Sequence, residues 1–205
     1  MGMKLRLMFA AVAVVCLILA VGCSDEDEQV TSQRNDIVRF LTSTHVPRLV
    51  AEEDMDSSLE DKPYFYEKLN IDLYRYIATY YDEGREAKAM VDEGDEVSLT
   101  FTAYNFTGGV LRSENVYISN DTTMISQLKG SGLNPEYWST EPLVVNLGRT
   151  NIIKGVSASL IGCREGDKVE VYMTYEEAYE DKVVGMVPHK GAVAWHYTID
   201  SVIKH

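Results

Sequence analysis

The most regularly spaced residues that could do chemistry in this chain are Gly148, Gly155 and Gly162, in the stretch NLGRTNIIKGVSASLIGCREGDKVEV. A glycine-rich loop binds phosphate when its glycines lie close together, so that successive backbone N–H groups converge on one anion. The seven-residue interval here is too wide for that, and neither G-x-G-x-x-G nor G-x-x-x-x-G-K-S/T occurs. The pattern argues against nucleotide binding and favours turns and a helix end.

Two other groups of polar side chains could do chemistry or simply face solvent. One is an acidic run in YEEAYED: Glu176, Glu177, Glu180 and Asp181. Paired carboxylates can hydrolyse glycosides, but no opposing carboxylate is evident, so a solvated loop is the favoured interpretation. The other group, His189 and His196, lacks the cysteines and the tight spacing of a zinc site. We therefore expect no metal and no cofactor.

Cys163 and a group of tyrosines are explained by packing at least as well as by function. Cys163 follows the glycine that ends a predicted helix and has no flanking base, so we expect a buried, unreactive thiol. Tyr74, Tyr76 and Tyr80 could stack on sugars, but a strand that packs into a core explains them equally well. Neither feature by itself indicates a site.

Residues 1–22 have the features of a lipoprotein signal peptide. Two positive charges in MGMKLR precede an apolar run that ends in small residues, which is the order of a secretion signal. The run ends at LAVGC, which resembles a lipobox and implies that Cys23 becomes the acylated first residue, carrying palmitate. An uncleaved anchor is the alternative, because the run is nearly long enough to span a bilayer.

Residues 23–33 are interpreted as an acidic linker behind the lipidated cysteine. The SDEDEQ run resembles a surface-export signal of lipoproteins in some Gram-negative gut commensals, and a solvated linker is the simpler alternative. We expect a cell-envelope, outer-membrane lipoprotein that can be exposed on the cell surface. The sequence leaves the inner or outer leaflet open.

Charge and cysteine content limit the partners. The formal net charge is −13, and it becomes −15 without the signal because Lys4 and Arg6 are lost and no acidic residue goes with them. A phosphate backbone would repel such a chain, so we expect no nucleic-acid partner. Cys16 leaves with the signal and Cys23 carries lipid, so Cys163 has no partner for a disulfide.

Apolar periodicity predicts the elements that would position these side chains. The segment 34–70 begins with a short amphipathic helix that has Ile37, Phe40 and Leu41 on one face and ends before Pro47. Residues Leu73 to Tyr81 are predicted to form a strand. Three later segments alternate apolar and polar residues, namely EVSLTFTAYNF, DKVEVYM and AVAWHYTIDSV. Such alternation is typical of an antiparallel sheet with one covered face.

A single helical pattern lies between these strands. Ile152, Ile153, Val156 and Leu160 have helical spacing, and Gly162 ends the pattern. The chain therefore predicts an α+β fold in which an antiparallel β-sheet wraps across one short α-helix, preceded by a short N-terminal helical segment.

The order of these motifs resembles that of the FKBP-type peptidyl-prolyl cis-trans isomerase family. The matching stretches are EPLVVNLG, the helix start NIIKGV, the turn REGDKV, the corner EAYE and the loop MVP before the last strand. The resemblance implies an FKBP-like domain over residues 71–205, with an insertion at about 114–141. It also implies that the evenly spaced glycines serve the fold.

The chemistry implied by this resemblance needs no acid, base or nucleophile. Rotation about an X–Pro bond crosses a barrier of about 18–20 kcal/mol because the amide loses resonance. An enzyme lowers that barrier by desolvating the amide in an apolar cup and by binding the twisted form better than the planar forms. The pocket implied is therefore mostly apolar and aromatic.

The resemblance assigns eleven residues to this pocket: Phe101, Leu111, Arg112, Leu143, Ile152, Ile153, Val156, Tyr179, Met186, Val187 and Trp195. Ile152, Ile153 and Tyr179 match residues of the family motifs. Val156 stands where the family has the Trp that forms the pocket floor, and the resemblance leaves Trp195 as a side chain that could refill the space. No position of this chain is identified as catalytic with certainty.

Two further substitutions change the charge of the implied pocket. Phe101 and Arg112 stand where the family has a hydrogen-bonded Tyr–Asp pair at the pocket mouth. We therefore expect a remodelled pocket that binds a protein or peptide partner, for example one containing proline, with weak or no turnover. An active isomerase that assists the folding of envelope proteins is the alternative, because an apolar cup tolerates substitution. We expect a monomer.

The insertion carries three aromatic residues: Tyr117, Tyr137 and Trp138. In the family the corresponding connection borders the pocket mouth, so the insertion could form a lid or a surface for a specific partner. The alternative is a decoration whose aromatic side chains cover local core.

Overall fold

A computed structural model describes residues 28–56, 58, 62–132 and 138–205. The predicted signal peptide and Cys23 lie outside these ranges, as does Tyr137. The helices are α1 at residues 28–39, α2 (Thr122–Gly130) and α3 (Lys154–Leu160), and a π-helical turn, Phe40–Thr44, extends α1. The strands are β1 (Val50–Ala51), β2 (Phe65–Asn70), β3 (Leu73–Ile77), β4 (Glu96–Asn105), β5 (Val116–Ser119), β6 (Leu143–Asn146), β7 (Lys168–Met173) and β8 (Val193–Ile203).

These strands form a sheet in the order β1-β2-β3-β7-β8-β4-β5. The short β1 pairs with β2 in parallel, and the other pairs are antiparallel. The long β4 pairs along its whole length with β8. Two shorter strands pair with its other edge: β6 with Glu96–Leu99 and β5 with Thr102–Tyr104. The predicted α+β fold is confirmed.

The short helix α3 covers one face of this sheet. Its Val156 and Leu160 are fully buried against the alternating apolar side chains of β4, β7 and β8, which we call the α3-face core. Gly155 is required by this packing, since a Cβ there would lie 2.5 Å from the Met173 sulfur. Gly162 ends the helix at a positive φ of 79°, a conformation that glycine adopts at little cost. The glycines of the sequence motif therefore serve the fold.

The opposite face of the sheet is also covered, by α1 and the turn that extends it. Ile37, Phe40 and Leu41 are buried there, as their spacing predicts, and pack in an aromatic cluster that we call the α1-face core. Tyr74 and Tyr76 are buried in the same core, so packing explains them and they are not available to stack on sugars. The expectation of one solvated face is wrong, because the N-terminal helix packs on it.

Polar contacts fix α1 to the loops of the sheet. The Arg34 guanidinium donates two hydrogen bonds to the Asp72 carboxylate, at 2.8 and 3.0 Å. The Gln33 side chain accepts from the backbone N–H of Tyr175 at 3.0 Å and donates to the Lys190 carbonyl at 2.8 Å. The helix thus ties together the two ends of the connection between β7 and β8. None of the helices in the described ranges is long and apolar enough to cross a bilayer.

Candidate functional site

Eight of the eleven residues assigned to the pocket lie together on the α3 side of the sheet. Four are buried in the α3-face core: Phe101, Val156, Val187 and Trp195. Four are partly buried and pack against it: Leu143, Ile152, Ile153 and Tyr179. The two isoleucines come directly before α3, and Tyr179 lies in the turn after β7, so the helix start and this turn form the rim of one apolar cup.

The structure places the other three residues elsewhere. Leu111 packs against the α1-face core, on the opposite side of the sheet. Arg112 is exposed, and its backbone N–H donates to the Asn115 side chain within a short turn. Met186 is 46 % exposed beside the buried Val187. Assigning Leu111 and Arg112 to the cup is therefore wrong, because the stretch that contains them is still the loop that leads to β5.

Tyr117 of β5 lies in the cup, where the family resemblance had placed Leu111 and Arg112. Its hydroxyl oxygen lies 2.7 Å from the indole nitrogen of Trp195 and 3.0 Å from the hydroxyl oxygen of Tyr179. The sequence pattern identifies Tyr117 only as an aromatic residue of the insertion. A strand-like pattern in VYIS, near the start of the insertion, was the available signal.

The interior of the cup is filled by stacked rings. Trp195 lies parallel to Phe101, with ring centroids 4.6 Å apart and an interplanar angle of 10°. Tyr117 and Tyr179 meet edge to face at 6.0 Å. Offset-stacked and edge-to-face pairs stabilise aromatic clusters beyond the burial of their surface. Trp195 and Val156 are buried in the same core, and the expectation that Trp195 refills the space of the family's Trp stays a prediction.

Outside the filled interior, a shallow depression of about 310 Å³ remains open. Its lining residues come from the start of α3 and the turn after β7: Asn151, Ile152, Ile153, Lys154, Ala178, Tyr179, Glu180 and Lys182. Across its rim the Lys154 ammonium contacts the Glu180 carboxylate at 2.6 Å. The depression is thus lined by apolar side chains, by Tyr179 and by charged side chains, of which Lys154 and Glu180 form an ion pair.

The cup carries no titrating group near neutral pH among the described residues that form it. Burial is the main cause that raises the pKa of Tyr117, and burial likewise raises the pKa of Tyr179, so both hydroxyls stay protonated. Arg112, the charged side chain expected here, is outside. Such a site can bind a carbonyl and exclude water, but it has no acid–base or nucleophilic pair.

The other reactive side chains of the sequence do not form a site. Burial raises the pKa of the Cys163 thiol to about 12, and this thiol donates to the Ser159 carbonyl, so it is inert as expected. Glu177 accepts a hydrogen bond from Asn70, and Glu180 pairs with Lys154, which leaves no facing carboxylate pair. Within the described ranges, no group of three His, Cys, Asp or Glu residues could hold a metal ion.

The family assignment comes from comparison with known proteins. The family model for FKBP-type peptidyl-prolyl cis-trans isomerases matches residues 87–199, more than half of the chain. The chain belongs to this family. Among solved structures, the FKBP-like fold is similar to the N-terminal domain of FKBP42 from Arabidopsis thaliana, with 11 % identity, a TM-score of 0.46, and coverage of 73 % of this chain and 98 % of that one. No curated protein matches the chain.

The family match covers the part of the chain that forms the cup. The matched range contains the apolar rim, Tyr117 and all of β4, β5, β6 and β7, whereas α1 lies before it. The α1 helix therefore lies outside the part of the chain that the family model covers.

Proposed function

We propose that this chain is an FKBP-like lipoprotein of the cell envelope that binds a protein or peptide partner through the cup, with weak or no turnover. The observation that supports this best is the filled interior. Trp195 stacks on Phe101 and donates its only N–H to Tyr117, so the rings are held in place by packing and by a hydrogen bond. A ligand would rest on this surface in the shallow depression instead of entering a deep cup.

The filled interior affects catalysis more than binding. Isomerisation is accelerated only by contacts that are stronger for the twisted amide than for the planar one. Those contacts depend on removing water from around the amide, and a shallow site removes less water than a deep one. Contacts made by Ile152, Ile153 and Tyr179 would stabilise the planar and twisted forms alike, which gives affinity without acceleration.

An active isomerase is the second candidate function, and one observation favours it. Ile152, Ile153 and Tyr179, which match the family motifs, surround the same depression. Because the reaction needs no charged group, loss of the carboxylate at position 112 does not by itself abolish it. The two candidates differ in rate and not in ligand, so one assay separates them.

We expect the full-length chain, in a mild detergent, to raise the rate of prolyl isomerisation by less than about ten-fold over the uncatalysed reaction, because the barrier reduction available to a shallow site is on the order of 1 kcal/mol. The measurement is a protease-coupled assay with a proline-containing tetrapeptide. Titration of the same peptide by NMR, followed at the indole N–H of Trp195, should show saturable binding. Acceleration of a thousand-fold or more, about 4 kcal/mol, would establish the active isomerase instead.

The proposed location rests on the sequence alone. We expect cells grown with labelled palmitate to label the wild-type chain and not a Cys23→Ser variant, because a thioether-linked lipid needs the thiol at this position. Cys163→Ser is the matched control and should label fully, since that thiol is buried in the folded chain. Equal labelling of Cys23→Ser and wild type would refute lipidation at Cys23. Release of the domain by protease from intact cells would support surface exposure, and resistance would favour a periplasmic position.

A further inference from the structure

Three polar groups cross the cup in a continuous line. The Trp195 indole nitrogen lies 2.7 Å from the Tyr117 hydroxyl oxygen, which lies 3.0 Å from the Tyr179 hydroxyl oxygen. Tyr179 also lines the open depression, whereas Tyr117 does not. The line therefore runs from the interior of the fold to the surface where a ligand would bind.

The direction of hydrogen bonding along this line is fixed by its inner end. An indole N–H can only donate, so the Tyr117 oxygen accepts from Trp195. If Tyr179 also donated to Tyr117, the Tyr117 proton would need another acceptor, and no further partner of this hydroxyl occurs in the described residues. Tyr117 is partly buried, with its hydroxyl between Trp195 and Tyr179, and a donor kept from water without a partner costs about 1–3 kcal/mol. Tyr117 therefore donates to Tyr179, and the Tyr179 proton points away from the line.

The directions of the pKa shifts of the two tyrosines agree with this assignment. Besides burial, the contact with Tyr179 raises the pKa of Tyr117, as expected for a donor, and the contact with Trp195 lowers it. The contact with Tyr117 lowers the pKa of Tyr179, as expected for an acceptor. The proton of Tyr179 is thus the free end of a chain of donors.

We infer that Tyr117 is a positioning residue that fixes the Tyr179 hydroxyl as a hydrogen-bond donor to a peptide carbonyl bound in the depression. The inference rests on the proposed function. The ligand it implies is a carbonyl acceptor flanked by an apolar group, because Ile152 and Ile153 line the depression together with Tyr179. A backbone carbonyl next to a prolyl ring has this chemistry.

The test is a thermodynamic cycle between the protein and the ligand. A proline-containing tetrapeptide is compared with analogues in which each carbonyl in turn is a thiocarbonyl, a weaker acceptor. In the full-length wild type, one replacement should lower affinity by about five-fold, the effect of a neutral hydrogen bond. In Tyr117→Phe the same replacement should lower affinity by only about two-fold, because the Tyr179 proton is no longer directed outward.

A second signal and a matched control separate positioning from a general structural effect. The indole N–H resonance of Trp195 should move upfield in Tyr117→Phe, since its acceptor is lost. Tyr81→Phe removes a hydroxyl that donates to the Pro63 carbonyl at 3.2 Å, and it should leave both the affinity and its carbonyl dependence unchanged. Equal carbonyl dependence in wild type and Tyr117→Phe would overturn the inference while leaving peptide binding intact. Absence of peptide binding in the wild type would overturn both this inference and the proposed function.

Discussion

Replacement of Arg75 by methionine is expected to lower the free energy of unfolding by about 3–5 kcal/mol, the range for removing one partner of a buried charge pair. Arg75 of β3 is 6 % exposed and pairs with Glu67 of β2. Its guanidinium also donates to the carbonyls of Ser159, at 2.8 Å, and Ile161, at 2.6 Å. The substitution would leave two carbonyls at the end of α3 and one carboxylate without their donor.

The effect of Arg75→Met should extend to the cup, because α3 starts at the rim formed by Ile152 and Ile153. Urea unfolding of the full-length chain measures the stability change, and peptide titration at low denaturant measures the cup. Arg39→Met is the matched control. Arg39 also pairs with a carboxylate, Asp36, but its side chain is 66 % exposed, so we expect a change below about 0.5 kcal/mol. Similar losses in the two variants would show that Arg75 does not hold α3 to the sheet.

The central part of the fold was accessible from the sequence because its elements have strong local signals. The alternation in β4, β7 and β8 places Val97, Val171 and Trp195 on one face, and all three are buried there. The helical spacing of Val156 and Leu160 is equally regular, and both are fully buried. In each case one short segment contains the whole pattern.

The covering of the second face could not be predicted in the same way. The apolar side of α1 is evident from Ile37, Phe40 and Leu41, but its partner surface is made of Tyr74, Tyr172 and other residues far along the chain. An aromatic residue on the outer face of a strand fits a solvent-exposed position as well as a packed one. Only the tertiary contact between α1 and the sheet decides between them.

The error at Leu111 has a physical origin in strand register. A motif match without gaps aligns residues by their distance along the sequence. The position of β5, however, is set by its pairing with β4, in which Thr102 faces Ser119 and Ala103 faces Ile118. A longer loop before β5 delays the strand without disturbing that pairing, because loop length is only weakly constrained by stability. The cup therefore receives Tyr117, and Leu111 falls on the other side of the sheet.

The free energy of unfolding is expected to be greatest near pH 6.5, because two histidines contact the Glu170 carboxylate and their pKa values are shifted in opposite directions. The His45 Nε2 atom lies 2.9 Å from a Glu170 oxygen, and its Nδ1 atom lies 2.5 Å from the Pro47 carbonyl oxygen. Both neighbours can only accept, so both ring nitrogens must carry protons and His45 is an imidazolium. His196 of β8 lies 3.4 Å from the same Glu170 oxygen.

The pKa shifts of the three groups follow from this arrangement. Burial opposes the charge on His45, but the hydrogen bonds to Glu170 and Pro47 outweigh it and raise its pKa above the ordinary 6.5. Burial lowers the pKa of His196. Glu170 is buried, yet the two histidines and the Tyr172 hydroxyl lower its pKa to about 2. The nearby tyrosines, Tyr76 and Tyr104, have pKa values of about 12 and stay neutral near pH 7.

The sign of each contribution follows from proton linkage. The pKa of His45 is higher in the folded chain than in the unfolded chain. Its contribution to the free energy of unfolding is therefore complete below about pH 6.5 and is lost as the pH rises through the folded pKa. For His196 the folded pKa is the lower one, so stability is lost as the pH falls from about 6.5 through the folded value. Because the His196 side chain is 31 % exposed, we expect the acid limb to be the shallower one. Glu170 contributes above pH 4.5 and loses its contribution as the pH falls towards 2.

Urea unfolding of the full-length chain between about pH 5 and pH 9 tests this assignment, with one variant for each limb of the curve. His45→Gln should abolish the loss of stability above pH 6.5, because no imidazolium remains to be deprotonated, and His196→Gln should reduce the loss below it. Glu170→Gln should flatten the limb above pH 6.5, because Glu170 raises the pKa of His45, and steepen the limb below it, because Glu170 also raises the pKa of His196. It should lower stability near pH 6.5 by about 3 kcal/mol, since it leaves the buried His45 without its counter-charge. A wild-type curve that rises steadily from pH 6.5 to 9 would exclude a charged His45. Since His45 follows directly on the π-helical turn that extends α1, loss of the ion pair at high pH would first loosen α1 from the sheet. The hydrogen bonds by which Gln33 ties together the two ends of the β7–β8 connection, which carries Tyr179 and Val187, would loosen with it.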